Sequence, residues 1–97
     1  MSARIAIVTG AGSGIGRAAT QALHADGWSV VVAGRRPETL DETLCMCGGA
    51  SERLLAVPTD VADPRSVENL FARTLERFGR LDLLFNNAGI SAPAVPL

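Results

Sequence analysis

The chain contains no tyrosine and no lysine, and all nine of its basic residues are arginines. Chemistry that needs a Tyr phenol or a Lys ammonium cannot be run by these 97 residues alone. Cysteine is scarce. Cys45 and Cys47 stand one residue apart, too close for an unstrained disulfide. With His24 distant in sequence they cannot complete a zinc site, so the expectation is two free thiols and no metal. Long apolar runs are absent as well, and no stretch approaches the length of a membrane span. Met1 to Arg4 lacks the form of a secretory signal, which makes a cytoplasmic setting the expectation. Neither sign of charge dominates. A net charge of -1 gives no reason to expect nucleic acid or an anionic membrane as partner.

What is present is an ordinary globular balance, 47% hydrophobic and 20% charged. At 97 residues it is one small domain with a thin margin of stability. Short β-branched runs alternate with helical periodicity. Ile5 to Thr9 reads as a strand buried on both faces, because its apolar run is continuous. After a loop over Gly10 to Gly14, Ile15, Ala18, Ala19, Ala22 and Leu23 fall on one helical face. Arg17, Thr20, Gln21 and His24 fall on the other, which predicts a solvated His24. Ser29 to Ala33 is a second strand. Pro37 opens a second helix carrying Leu40 and Leu44, and Gly48 and Gly49 break it. Leu54 to Val57 is a third strand. Asp63 and Pro64 form an N-cap and first helical position, before a stripe of Val67, Leu70, Phe71, Thr74, Leu75 and Phe78 that Gly79 ends. Leu81 to Phe85 is a fourth strand, and Asn86 to Leu97 reads as turn and loop.

The order β-α-β-α-β-α-β predicts an α/β fold: a partial Rossmann-type parallel sheet, strand order 3-2-1-4, with helices on both faces. The direction of winding reverses between the third and fourth strands. The switch point therefore lies between strands one and four, where such sheets bind ligands.

Thr-Gly-Ala-Gly-Ser-Gly-Ile-Gly at residues 9 to 16 joins the first strand to the first helix. A pyrophosphate needs backbone N–H donors and the positive end of a helix dipole. Glycines allow both the sharp turn and the close approach. The spacing, set by Gly10, Gly14 and Gly16, is G-x-x-x-G-x-G rather than G-x-G-x-x-G, and no lysine follows to make a P-loop. By itself such a turn could also bind nothing.

The glycine pattern, Asp60-Val61 and Asn86-Asn87-Ala88-Gly89 stand in order, each at the end of a predicted strand. Together they resemble the short-chain dehydrogenase/reductase family, in its main, non-extended branch. The resemblance spans essentially the whole chain but only the amino-terminal half of a family member. It implies that residues 1–97 are the first half of an NAD(P)-binding domain. It further implies that Gly10, Ser13, Gly14, Ile15 and Gly16 surround the phosphates, with Gly16 letting the helix pack near the sheet. Asp60 would bond the adenine amino group beside Val61, or cap its loop, roles that are compatible. Asn87, Ala88 and Gly89 would lie under the nicotinamide-side ribose, or the asparagines would mainly tie strands together.

Cofactor choice rests on the end of strand two. An NAD enzyme usually places an acid there for the ribose 2′-hydroxyl. Gly34 stands in that place here, and Arg35 follows. An arginine can bind a 2′-phosphate through two hydrogen bonds, which favours NADP, with NAD possible. Arg35 and Arg36 could equally be solvated loop charges, and Ser13 supplies no second basic contact.

The family's catalytic tyrosine, lysine, serine and further asparagine have no counterparts here, and Ser91 is not that serine. No catalytic residue is therefore assigned, and these residues alone are expected to be inactive. The first reading is the amino-terminal part of an NADP-dependent oxidoreductase that passes hydride between the nicotinamide and an alcohol or carbonyl substrate. Its parent would be a homo-oligomer. The chain would be a truncated gene product or part of a longer sequence. A non-catalytic module that binds a dinucleotide or pairs with a related subunit, and a remnant that does not fold, stay open. The substrate is not legible.

Overall fold

A computed structural model describes residues 4–12, 14–49 and 52–86. Its elements run β1 (Ile5–Thr9), α1 (Gly14–Ala25), β2 (Ser29–Gly34), α2 (Pro37–Met46), β3 (Leu54–Pro58), α3 (Pro64–Phe78) and β4 (Leu83–Phe85). The strands form one parallel sheet in the order β3-β2-β1-β4, as the winding argument requires. Ile7 sits in register between Val31 on one side and Leu84 on the other.

Every residue of β1 is buried, and β2 is buried through Ala33. Alternation then divides the sheet's side chains between two cores. Val8, Val30, Val32 and Leu54 pack with Leu40, Leu23 and Leu44 under α1 and α2. Ile7, Val31, Ala33 and Val57 pack with Leu70, Phe71 and Phe78 under α3. The Asp63 side chain accepts from the Arg65 N–H, Pro64 opens the helix, and Gly79 closes it in the left-handed region at φ 79°.

Four local readings are corrected. The face of α1 that meets the sheet carries Gly16 and Thr20, whereas Ile15, Ala18 and Ala22 are exposed. The close approach of Gly16 to the Gly10 carbonyl sets the helix rotation. Thr20 tolerates burial because its hydroxyl donates to the Gly16 carbonyl at 2.9 Å. The β4 ladder starts at Leu83 rather than Leu81. The Asp82 carboxylate, instead of a strand carbonyl, accepts the Ile5 N–H at 2.8 Å. Leu75 is exposed, since α3 alone covers its face among the described residues and the outer flank of its stripe has no neighbour.

His24, finally, is half-buried, and its Nε2 is enclosed without a partner among the described residues. Burial pushes its pKa below the ordinary imidazole value, and the nearby Arg53 charge adds to this. Arg53 sits there because it donates to the carbonyls of His24 (3.2 Å) and Trp28 (2.9 Å).

Candidate functional site

Parallel strands carry all their following loops to one end of the sheet. The glycine turn after β1, Arg35 and Arg36 after β2, Asp60 and Val61 after β3, and Asn86 after β4 therefore share the carboxyl end. β1 and β4 are neighbours there, at the point where the winding reverses. Thr9 stitches their ends together, its Oγ1 lying 3.4 Å from the Phe85 carbonyl and 3.1 Å from Asn86 Oδ1.

The turn is tight. The Ala11 N–H donates to the Ala33 carbonyl at 3.1 Å, which anchors the loop on β2. Gly10 and Gly14 both take positive φ, 63° and 58°. A Cβ at Gly16 would stand 2.1 Å from the Gly10 oxygen, so only glycine allows α1 to start this close to the turn. The first-turn amides of α1, at Gly14 and Ile15, have no acceptors within their own helix. They point out of the helix start, where its dipole is positive.

Arg17 is the functional candidate that sequence reasoning missed. Helical periodicity put it on the solvated face of α1. It reaches α2 instead, where Nε donates to Thr43 Oγ1 at 3.0 Å and Nη2 to the Thr39 carbonyl and Glu42, each at 3.2 Å. Nη2 also donates to the Gly12 carbonyl of the turn. No local signal announces partners 26 residues away.

The other candidates keep separate places around this end. Gly34 packs on Leu40, and a Cβ there would come within 3.1 Å of Leu40 Cδ2. Arg35 and Arg36 are exposed and form no ion pair among the described residues. The Asp60 Oδ1 accepts the Ala62 N–H at 3.0 Å, and the Asp60 N–H donates to Ser66 Oγ at 2.8 Å. The carboxylate thus does cap its own loop, and Oδ2 has no partner among the described residues. Ile15 and Val61 are unusual in exposing apolar side chains at this end, at 66% and 40%. A cleft of about 210 Å³ lies beside Thr9, Val61, Leu84 and Asn86. Ser13, Asn87, Ala88 and Gly89 lie outside the described residues. Among the described residues no group of His, Cys, Asp and Glu could hold a metal ion, and no helix is long and apolar enough to cross a membrane.

Comparison with known proteins agrees with this layout. The family model for short chain dehydrogenases matches residues 4–96. Cis-4-hydroxycyclohexanecarboxylate dehydrogenase of Sinomonas cyclohexanicum is 47% identical over 94 residues, covering 97% of this chain and 37% of that protein. A variant of actinorhodin polyketide ketoreductase, solved with NADPH, superposes with a TM-score of 0.81 at 36% identity, over 92% of this chain and 35% of that one. A short-chain dehydrogenase/reductase of Burkholderia phymatum, solved with NAD, gives 0.79 at 34% identity, over 86% and 30%. The chain thus spans only about a third of the length of each of these three proteins, between 30% and 37%.

Proposed function

Because the chain belongs to the short chain dehydrogenase family, we propose that residues 1–97 form the dinucleotide-binding part of an oxidoreductase. The observation that carries this reading is the glycine turn. It offers outward amides at a helix start, with Gly16 pressed on the Gly10 carbonyl, at the carboxyl end of the sheet where its winding reverses. That cradle fits a diphosphate. Gly10, Gly14, Ile15 and Gly16 line it, with Ser13 assigned on sequence alone. The exposed Ile15 and Val61 side chains suit contact with flat rings, and Asp60, whose Oδ2 has no partner among the described residues, is assigned to accept from the adenine amino group. Asn87, Ala88 and Gly89 keep their assignment to the nicotinamide side on sequence alone.

NADP is the proposed cofactor, and NAD is the alternative. Gly34 leaves no acid to repel a 2′-phosphate, and the packing of Leu40 leaves little room for a side chain at that position. Arg35 is exposed and without an ion-pair partner among the described residues, so it is available to a phosphate. Neighbours were solved with NADPH and with NAD, so the choice rests on these residues. When bound, the nicotinamide supplies the hydride acceptor or donor for an alcohol or carbonyl substrate. The chain's own part is to bind and orient. With neither Tyr nor Lys, residues 1–97 supply no such acid/base group, and the assembly is proposed to be a homo-oligomer.

Calorimetric titration of the protein as its gene encodes it tests this reading. NADP is expected to bind more tightly than NAD, and Arg35→Ala to weaken NADP about tenfold or more while sparing NAD. Tighter binding of NAD by the unaltered protein would overturn the NADP assignment. Binding of neither would overturn the dinucleotide reading itself.

A further inference from the structure

We infer that Arg17 and Thr43 are positioning residues that hold the glycine turn in its phosphate-receiving shape. The inference rests on the dinucleotide reading above and deepens it. Two successive carbonyls of the turn are tied back to helix side chains. The Ala11 oxygen accepts the Thr43 hydroxyl at 2.7 Å, in a buried bond, and the Gly12 oxygen accepts from Arg17 Nη2. The two residues also act on each other. Arg17 Nε donates to Thr43 Oγ1 at 3.0 Å, which leaves that hydroxyl to donate its one proton. The Ala11 oxygen at 2.7 Å is a nearer acceptor than the Thr39 oxygen at 3.2 Å. The guanidinium thus leaves the Thr43 proton for a carbonyl, and the shorter distance directs it to the Ala11 oxygen.

Peptide geometry turns this into an effect on the ligand. A trans peptide points its C=O and N–H to opposite sides. Fixing the Ala11 carbonyl towards α2 therefore aims the Gly12 N–H away from α2. Holding the Ala11 and Gly12 carbonyls back keeps two negative dipole ends from turning towards an anionic diphosphate. Thr39 packs close against the turn, since a Cβ added at Gly12 would meet its Oγ1 at 2.4 Å. A cradle already set in shape spares the ligand the cost of ordering it. Arg17 also places a positive charge behind the turn, partly offset by Glu42 at 3.2 Å.

The test is binding by the protein as its gene encodes it, measured calorimetrically or by competition. The ligands are NADP and NAD, against adenosine and adenosine 2′-monophosphate, which lack the diphosphate. Thr43→Val keeps the side-chain shape and removes the hydroxyl, while Thr43→Ser restores the hydroxyl. Thr43→Val and Arg17→Met are expected to weaken the dinucleotides about tenfold. Binding of the two diphosphate-free ligands should stay within about twofold, and Thr43→Ser should recover most of the loss. If Arg17→Met does not fold, the Thr43 pair carries the test. Equal weakening of all ligands would show a general loss of structure, and unchanged binding in Thr43→Val would show no role; either overturns the inference while the dinucleotide reading stands. An unaltered protein that binds no dinucleotide removes the reading and the inference together.

Discussion

At Gly16 a single added methyl group would stand 2.1 Å from the Gly10 oxygen, far inside any carbon–oxygen contact. The atom in the way is backbone, so the turn or the helix start must move. Gly16→Ala is expected to destabilise the protein by about 1–3 kcal/mol, as overpacking does, and to abolish dinucleotide binding. Urea unfolding and titration with NADP check the two effects separately. Asp82 offers a prediction of a different kind. Its hydrogen bond with Arg80 and its acceptance of the Ile5 N–H hold the carboxyl below its ordinary pKa. A group lowered on folding stabilises above its unfolded pKa, and that stability is lost as pH falls through the folded value. The window is therefore below about pH 4. Asp82→Asn, which can still accept from Ile5, should flatten the acid limb of a urea-midpoint profile measured down to pH 2.5. An unchanged acid limb would show that the clamp carries no pH dependence. His24 acts in a separate window. Its lowered pKa disfavours protonation in the fold, so its contribution fades as pH drops below the ordinary imidazole value.

Among the elements, α3 is the one whose bounds and caps the residues announce most fully. Asp63 accepts from the Arg65 N–H at 3.0 Å, Pro64 needs no donor, and the Gly79 N–H closes on the Leu75 carbonyl at 2.8 Å. Asp63→Ala is expected to cost about 1 kcal/mol, read as a lower urea midpoint with unchanged slope. β1 and β2 were equally plain, because strands covered on both faces carry unbroken apolar runs, and their order followed from the alternation of strands and helices. The rotation of α1 was not legible. Periodicity favoured its alanines for the core, but the fit of Gly16 against Gly10 is a contact between backbones, invisible in a hydropathy pattern. The start of β4 was hidden for a similar reason, because the Asp82 side chain takes the place of a strand carbonyl. At the site, the placement of the glycine turn and of the end-of-strand residues at the carboxyl end was readable, since it follows from the order of strands and helices. Arg17 was not, because its role depends on Thr39 and Thr43 of another helix.

Across the whole molecule, the two edges of the sheet differ in how well they are covered. β3 is shielded on both faces through Leu54 and Val57. β4 is short, and Leu83 and Leu84, which point to opposite faces, are 39% and 44% exposed. Leu83 stands beside Ala6 on the face of α1 and α2, and Leu84 stands beside Ile7 on the face of α3. Leu84 shares an open cleft with Val67, Leu70 and Phe71 of α3, so that helix leaves it partly uncovered, and Leu75 adds a further exposed apolar side chain on α3. An apolar edge strand with open hydrogen-bonding groups recruits other chains. The 97 residues expressed alone are therefore expected to self-associate, as seen by light scattering at tens of micromolar. Replacing Leu83 with Thr and Leu84 with Lys should shift that product towards monomer while the far-ultraviolet circular dichroism is kept. The same pair of substitutions placed in a longer protein distinguishes the origin of the effect. If further chain covers β4 there, burying Lys and Thr should destabilise that protein by several kcal/mol. If nothing covers β4, its stability should change by less than about 0.5 kcal/mol, as at an ordinary surface site. A monomeric 97-residue product with native circular dichroism would show that the exposed edge does not drive association.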